Sequence, residues 1–171
     1  MTERKKYELT DEFIEHWSGK KLYRIKALID FGLVVAGAPG GFVESENNLD
    51  HNGNAWVYGD ARVYGNARVY GDAEVYGNAE VYGNAWVYGN AEVYGNAEVC
   101  EQRSVIWFSV VGTENGTLTI YKSKDGSLLA TRGCFSGTVD EFLAKSAQVH
   151  DEKTKREYEL LIEVAKSRIL G

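Results

Sequence analysis

Residues 53–100 read GNAWVY GDARVY GNARVY GDAEVY GNAEVY GNAWVY GNAEVY GNAEVC. One hexapeptide, Gly-[Asn/Asp]-Ala-x-Val-Tyr, recurs eight times from Gly53, and only Cys100 departs from it, replacing the last Tyr. A short fixed period marks a repeat architecture. Ala and Val lie two residues apart, so in an extended segment both point to one side, with the variable residue and Tyr on the other. Gly followed by Asn or Asp supplies the bend, because both tolerate positive φ. A β-meander is one way to use these units, with each Gly-Asn as a hairpin turn. It would pair Tyr58 with Ala61 and Val57 with Arg62, mixing apolar and charged side chains on each face and leaving no core side. A solenoid instead stacks Val on Val and Ala on Ala in every repeat. The stretch is therefore expected to coil.

The tandem hexads resemble the left-handed β-helix (hexapeptide-repeat) proteins, in which three hexads make one triangular coil, here 18 residues. That family usually places a small residue directly after the inward aliphatic one, whereas this chain puts Tyr there and Gly next. The flanking Phe42-Val43-Glu44-Ser45-Glu46-Asn47-Asn48-Leu49 and the repeats after it are similar to YdcK-like hexapeptide proteins of enterobacteria and their phages, a resemblance that carries no established activity. A short left-handed parallel β-helix in a mainly β chain is the implied fold. Residues 18 apart should then lie one coil apart, about 4.8 Å along the axis. Tyr58, Tyr76 and Tyr94 should form an aromatic ladder, and Val57, Val75 and Val93 a buried one.

A solenoid exposes unpaired strand edges at both ends, which need covers. Residues 1–52 are expected to supply the N-terminal cap, with a strand over Lys21–Ile29 and a degenerate first coil within Val34–Leu49. Residues 53–100 are the solenoid. Residues 101–171 are expected to form a C-terminal α+β module for capping or oligomerisation. Its small antiparallel sheet is read over Val105–Val111, Thr117–Tyr121 and Ser127–Thr131, with turns at Glu114-Asn115-Gly116 and Lys124-Asp125-Gly126. Two helices should follow, opened by the capping-box spacings Thr138-x-x-Glu141 and Thr154-x-x-Glu157. Tyr158, Leu161, Ile162, Ala165 and Ile169 form one helical stripe, read as core against the sheet or as a dimer face. The segment Arg132-Gly133-Cys134-Phe135-Ser136-Gly137-Thr138 before the first helix is similar to a module appended to hexapeptide proteins in phages and prophages.

The 171 residues carry a net charge of -6, and its distribution matters more than its sum. Residues 53–100 hold six acids and two bases, against nine and seven before them and ten and ten after. With no basic stripe, phosphate neutralisation on a nucleic acid is disfavoured. The charged opening Met1–Thr10 lacks the apolar stretch of a signal peptide and no run is long enough to span a membrane, so a cytoplasmic protein is expected. Cys100 and Cys134 have no CxxC spacing and are read as reduced thiols.

Hexapeptide acyltransferases, by resemblance, use a histidine base near a subunit interface. His51 is the one histidine beside the repeats, and its alternative reading is an exposed or turn residue; His16 and His150 lie in the flanks and are read as structural or exposed. The repeats contain no inserted loop to wall off a substrate pocket. No catalytic residue, metal site or cofactor is therefore expected: three histidines do not by themselves make a zinc site. The variable positions carry more information. Eighteen residues per coil sort them into three outer columns: Trp56, Glu74 and Glu92; Arg62, Glu80 and Glu98; Arg68 and Trp86. Tryptophan and arginine on a rigid scaffold have the character of binding hot spots. The alternative is that the columns balance themselves, with Arg62 beside Glu80 and Arg68 on Trp86. The expectation is a non-catalytic, phage- or prophage-encoded homo-oligomer, trimer or dimer, that binds a host protein and inhibits a bacterial defence system. A nucleotide-sequestering sponge and an acyltransferase are the alternatives.

Overall fold

The computed structural model describes residues 5–171; Met1–Arg4, the start of the charged opening segment, lie outside the described residues. Each hexad contributes one two-residue strand: Trp56–Val57 (β4), Arg62–Val63 (β5), Arg68–Val69 (β6), Glu74–Val75 (β7), Glu80–Val81 (β8), Trp86–Val87 (β9), Glu92–Val93 (β10) and Glu98–Val99 (β11). Parallel pairing joins strands three hexads apart, Val57 to Val75 and Val75 to Val93, which is the 18-residue coil. The repeats form three faces: β4-β7-β10, β5-β8-β11 and β6-β9. Every repeat Ala and Val is buried, so the inside of the coil is a column of Ala and Val layers. The glycine at each corner has positive φ, between 62° and 74°, where a side chain on any other residue would meet its own backbone. The tyrosine ladder is present, with ring centroids 4.8 Å apart for Tyr58–Tyr76 and 4.7 Å for Tyr76–Tyr94.

The degenerate first coil also exists. Pro39–Val43 (β3) pairs in parallel with β5, Phe42 to Arg62 and Val43 to Val63, and Leu49 bridges to Val69. These partners are 20 residues apart rather than 18. The two extra residues fall between Leu49 and Val57, a spacing of eight where two hexad valines differ by six, so His51 sits in an insertion. Upstream, Tyr7–Glu15 (β1) and Lys21–Ala27 (β2) form an antiparallel hairpin that extends the second face, in the order β1-β2-β3-β5-β8-β11. Strand β1 has no counterpart in the sequence reading, because its acidic, loosely alternating YELTDEFIE hides the pattern.

Covering the ends is a matter of hydrogen-bond polarity. Alternate residues of each rung send their N–H groups to the following coil, as Trp56 does to Ala73 and Tyr58 to Val75. The last rung of the first face therefore has Glu92 and Tyr94 without a further coil. Three hydroxyls from the C-terminal sheet replace it. Thr119 Oγ1 accepts from Glu92 N–H at 3.1 Å, Thr131 donates to Glu92 C=O at 2.7 Å, and Tyr121 Oη accepts from Tyr94 N–H and donates to its C=O. At the N-terminal end carbonyls are open, and donors close them: Lys6 Nζ to Ala55 O at 2.6 Å, Tyr7 Oη to Leu49 O at 2.6 Å and Asn48 Nδ2 to Ala67 O at 2.9 Å.

The C-terminal sheet runs Val105–Val111 (β12), Gly116–Lys122 (β13), Leu128–Arg132 (β14) and Phe135–Thr138 (β15), all antiparallel. The expected three strands are there, and β15 is an additional fourth. Val139–Val149 (α1) and Glu152–Leu170 (α2) pack on this sheet, with Tyr158, Ile162 and Ala165 buried against Leu118, Ile120 and Phe142. Thr138 and Glu141 make the expected capping box. The second box does not form: Asp151 caps α2 by accepting from Thr154 N–H, and Glu157 instead accepts from Gly112 N–H at 2.6 Å. Asp151 lies one turn earlier and its carboxylate serves the same purpose. Among the described residues no helix is long and apolar enough to cross a membrane.

Candidate binding face of the solenoid

The second face is partly covered, with the Arg62 side chain still 40% exposed. The turn end of the β1–β2 hairpin folds against it, burying Leu22, Phe42 and Tyr64 together and placing the His16 ring 4.5 Å from Tyr64. Beneath it Glu80 is an ion-pair hub, 3.8 Å from Arg62 and from Lys124 and 3.9 Å from His16 Nε2. Glu98 accepts from the Tyr82 hydroxyl at 2.9 Å. Arg62, Glu80 and Glu98 thus form the self-balancing column that was the alternative reading.

On the first face the sequence expectation for Trp56 needs correction. Its side chain leaves the coil on the outer side, yet it is only 3% exposed, because Phe31 and Tyr7 from the N-terminal segment pack edge-on against it at 5.2 and 6.1 Å. Periodicity gives the direction of a side chain from the coil but not what another segment lays over it. Glu74 and Glu92 stack in register on the same face. Burial, then the Glu74 carboxylate, raises the Glu92 carboxyl above its usual range.

The third face is open. Arg68 pairs with Trp86 in register, both are exposed, and Trp86 keeps 42% of its surface. Tyr70 and Tyr88 stack beside them at 4.7 Å, Trp107 of β12 meets Tyr88 edge-on at 4.7 Å, and the Arg68 guanidinium lies 5.9 Å from the Tyr70 ring. A depression of about 420 Å³ follows, lined by Trp86, Tyr88, Trp107, Ile106, Gln102 and Arg168 of α2. The two repeat rungs of this face carry no acid, while all four repeat glutamates lie on the other two. Tyr70 and Tyr88 were overlooked as site residues because the constant position of a repeat reads as architecture, though alternation already placed them outside. Trp107 and Arg168 arrive from distant sequence and left no local signal.

The three histidines are apart, and His16 Nε2 is buried without a hydrogen-bond partner. His51 stacks on Tyr7 at 4.2 Å, accepts the Lys6 N–H at Nδ1 and faces Glu46 at 3.3 Å through Nε2. His16 is buried under the hairpin and hydrogen-bonds Ser18; His150 hydrogen-bonds Ser146 at the end of α1. Among the described residues no group of three or more His, Cys, Asp or Glu is placed to hold a metal. Both cysteines are free, Cys100 half-buried and Cys134 exposed.

Residues 61–77 and 73–89 match the family model described as the YdcK beta solenoid repeat. The solenoid is YdcK-like. The matched stretch lies inside the coil and includes both Arg68 and Trp86. No curated protein matches the chain.

The tyrosine ladders of the YdcK-like coil give it a pH limit. Burial, then nearby carboxylates, pushes the Tyr58 and Tyr64 phenols up, and Tyr76 to about 12. An unfolded tyrosine ionises near pH 10, so the folded state holds these protons longer. Their stabilisation is complete below about pH 10 and is lost as pH rises towards 12. Lys6 acts in the opposite direction: burial lowers its ammonium to about 8, so between about pH 8 and 10.5 the unfolded chain binds more protons and stability rises slightly. The expected pH titration therefore shows the last phase of tyrosinate absorbance, that of the buried Tyr58, Tyr64 and Tyr76, coinciding with loss of β-sheet circular dichroism above about pH 10. Complete ionisation of every tyrosine near pH 10 with the circular dichroism intact would show that the buried tyrosines are not held by the fold.

Proposed function

We propose that this protein is a non-catalytic binding scaffold whose third solenoid face docks another protein. One observation carries the reading: the third face gathers Trp86, Tyr70, Tyr88 and Trp107 beside Arg68, with Trp86, Tyr88 and Arg68 exposed together. Tryptophan, tyrosine and arginine dominate the energetics of protein interfaces, and the rigid coil holds them without the entropy cost of ordering a loop. The partner class we propose is a host protein of a phage- or prophage-encoded chain, with inhibition of a defence system as the corresponding role. We further propose a homo-oligomer, for which α2 offers exposed Leu160 and Val164 on the side away from the sheet.

The experiment is affinity capture from host lysate followed by binding measurements on the recovered partner. Trp86→Ala and Arg68→Ala are each expected to weaken binding by about 30-fold, roughly 2 kcal/mol for an anchor residue, with an unchanged melting temperature because both side chains point outward. His51→Ala is expected to leave binding unaltered. Acetyl-coenzyme A binding that His51→Ala abolishes, with the tryptophan and arginine variants unaffected, would replace this reading by acyl transfer. A co-purifying nucleotide with no protein would replace it by sequestration.

A further inference from the structure

The C-terminal module has a cavity of its own, away from the solenoid faces. It measures about 330 Å³ and lies between the end of β14, the start of β15 and helices α1 and α2. Phe135, Phe142 and Tyr158 give it an aromatic lining, and Arg132, Lys145 and His150 bring basic groups against one acid, Glu114. Arg132 sets its chemistry. Its Nε is buried without a hydrogen-bond partner. Arg24 and Arg62 pair with Glu12 and Glu80, whereas among the described residues no carboxylate lies within ion-pair distance of Arg132. Glu157 of α2 is engaged by the Gly112 N–H.

The guanidinium is nonetheless held in place. It packs so closely on Gly116 that a Cβ there would come within 2.6 Å of its Cζ and Nη1. Gly116 has no positive φ, so glycine serves here to admit the guanidinium rather than to make a turn. A half-buried cation with an unmet donor is costly to the free protein, and such a group calls for an explanation. A planar guanidinium fork matches the two oxygens of a carboxylate or phosphate.

We infer that this cavity binds an oxyanion, carboxylate or phosphate, carried on an aromatic or aliphatic body. Arg132 receives the anion, Lys145 adds positive charge beside it, His150 offers a ring nitrogen, and the aromatic lining takes the body. The site is independent of the third solenoid face.

Phenyl phosphate, benzoate and inorganic phosphate are titrated into the full-length ¹⁵N-labelled protein, following the arginine Nε–Hε resonances; Arg132 is assigned by the signal missing in Arg132→Gln. Phenyl phosphate or benzoate is expected to shift that resonance and saturate at about 1 mM or below, the tighter of the two identifying the anion. Inorganic phosphate, which has no body, should bind roughly tenfold more weakly. Arg132→Gln should abolish the binding and Lys145→Ala weaken it, while Trp86→Ala has no effect. Arg132→Met removes the unmet donor at similar length and should keep or raise the melting temperature. The inference is overturned if none of the three probes moves the resonance, if Arg132→Gln binds as well as wild type, or if Arg132→Met unfolds the module, which would make the arginine a structural strut.

Discussion

Replacing Val75 by Asp is expected to abolish cooperative folding. Val75 is the central residue of the buried ladder Val57–Val75–Val93 and has no exposed surface. Its neighbours inside the coil are Ala and Val side chains, which offer a carboxylate no hydrogen-bond partner. An unpaired buried charge costs about 3–5 kcal/mol, a large part of the roughly 5–15 kcal/mol that holds a domain together. The defect also reaches both adjoining coils, since in a solenoid each rung is supported only by its neighbours. The control lies one residue away. Glu74→Gln changes an outward side chain stacked on Glu92, so removing one of two like charges should leave the melting temperature unchanged or slightly higher. Thermal unfolding followed by circular dichroism distinguishes the two, and a folded Val75→Asp variant would refute the buried valine ladder.

Deleting residues 101–171 is expected to give insoluble or self-associating material. Fragment 1–100 loses Thr119, Tyr121 and Thr131, and with them every side-chain hydroxyl bonded to the Glu92 and Tyr94 backbone. Four backbone groups on a flat parallel edge then remain to template another chain. About three coils with a narrow, largely Ala and Val interior bury too little apolar surface to compensate. Sedimentation of the fragment measures this directly. A soluble, monomeric fragment 1–100 with a cooperative melt would show that the coil is self-sufficient. A narrower version, Tyr121→Phe in the full chain, removes one hydroxyl that serves both Tyr94 groups and should cost about 1–3 kcal/mol.

The solenoid was legible because one six-residue unit repeats eight times with Ala and Val never varying, so the direction of every side chain follows from those two positions. The 18-residue stacking, the Tyr58–Tyr76–Tyr94 ladder and the pairing of Arg62 with Glu80 all follow from that regularity. The caps were legible where ordinary signals survive, as in β12 with its apolar run and in α1 with its Thr138–Glu141 box. They were not where function in the fold is non-local. Strand β1 has a polar sequence because it is the outer edge of a sheet, and Lys6, Tyr7 and Asn48 act as end caps through long-range bonds that leave no local pattern. The candidate surface divides in the same way. Column membership came from counting, whereas the burial of Trp56 under Phe31, the partial covering of Arg62 and Glu80 by the hairpin, and the arrival of Trp107 and Arg168 beside Trp86 depend on how the flanks fold back. The third face alone kept both its variable residues, Arg68 and Trp86, exposed.

Hydroxyl-radical footprinting of the free protein and of its complex with the captured partner tests that distinction most directly. Tryptophan and tyrosine report their own exposure, and the chain carries a built-in reference in Trp17, which is 91% exposed at the tip of the β1–β2 hairpin, away from the third face. Strong protection of Trp86, Tyr88 and Trp107 on complex formation, with Trp17 oxidised as in the free protein, is the predicted result. Protection at Trp17 or on the first face, with Trp86 as reactive as before, would contradict the assignment of the third face as the binding surface.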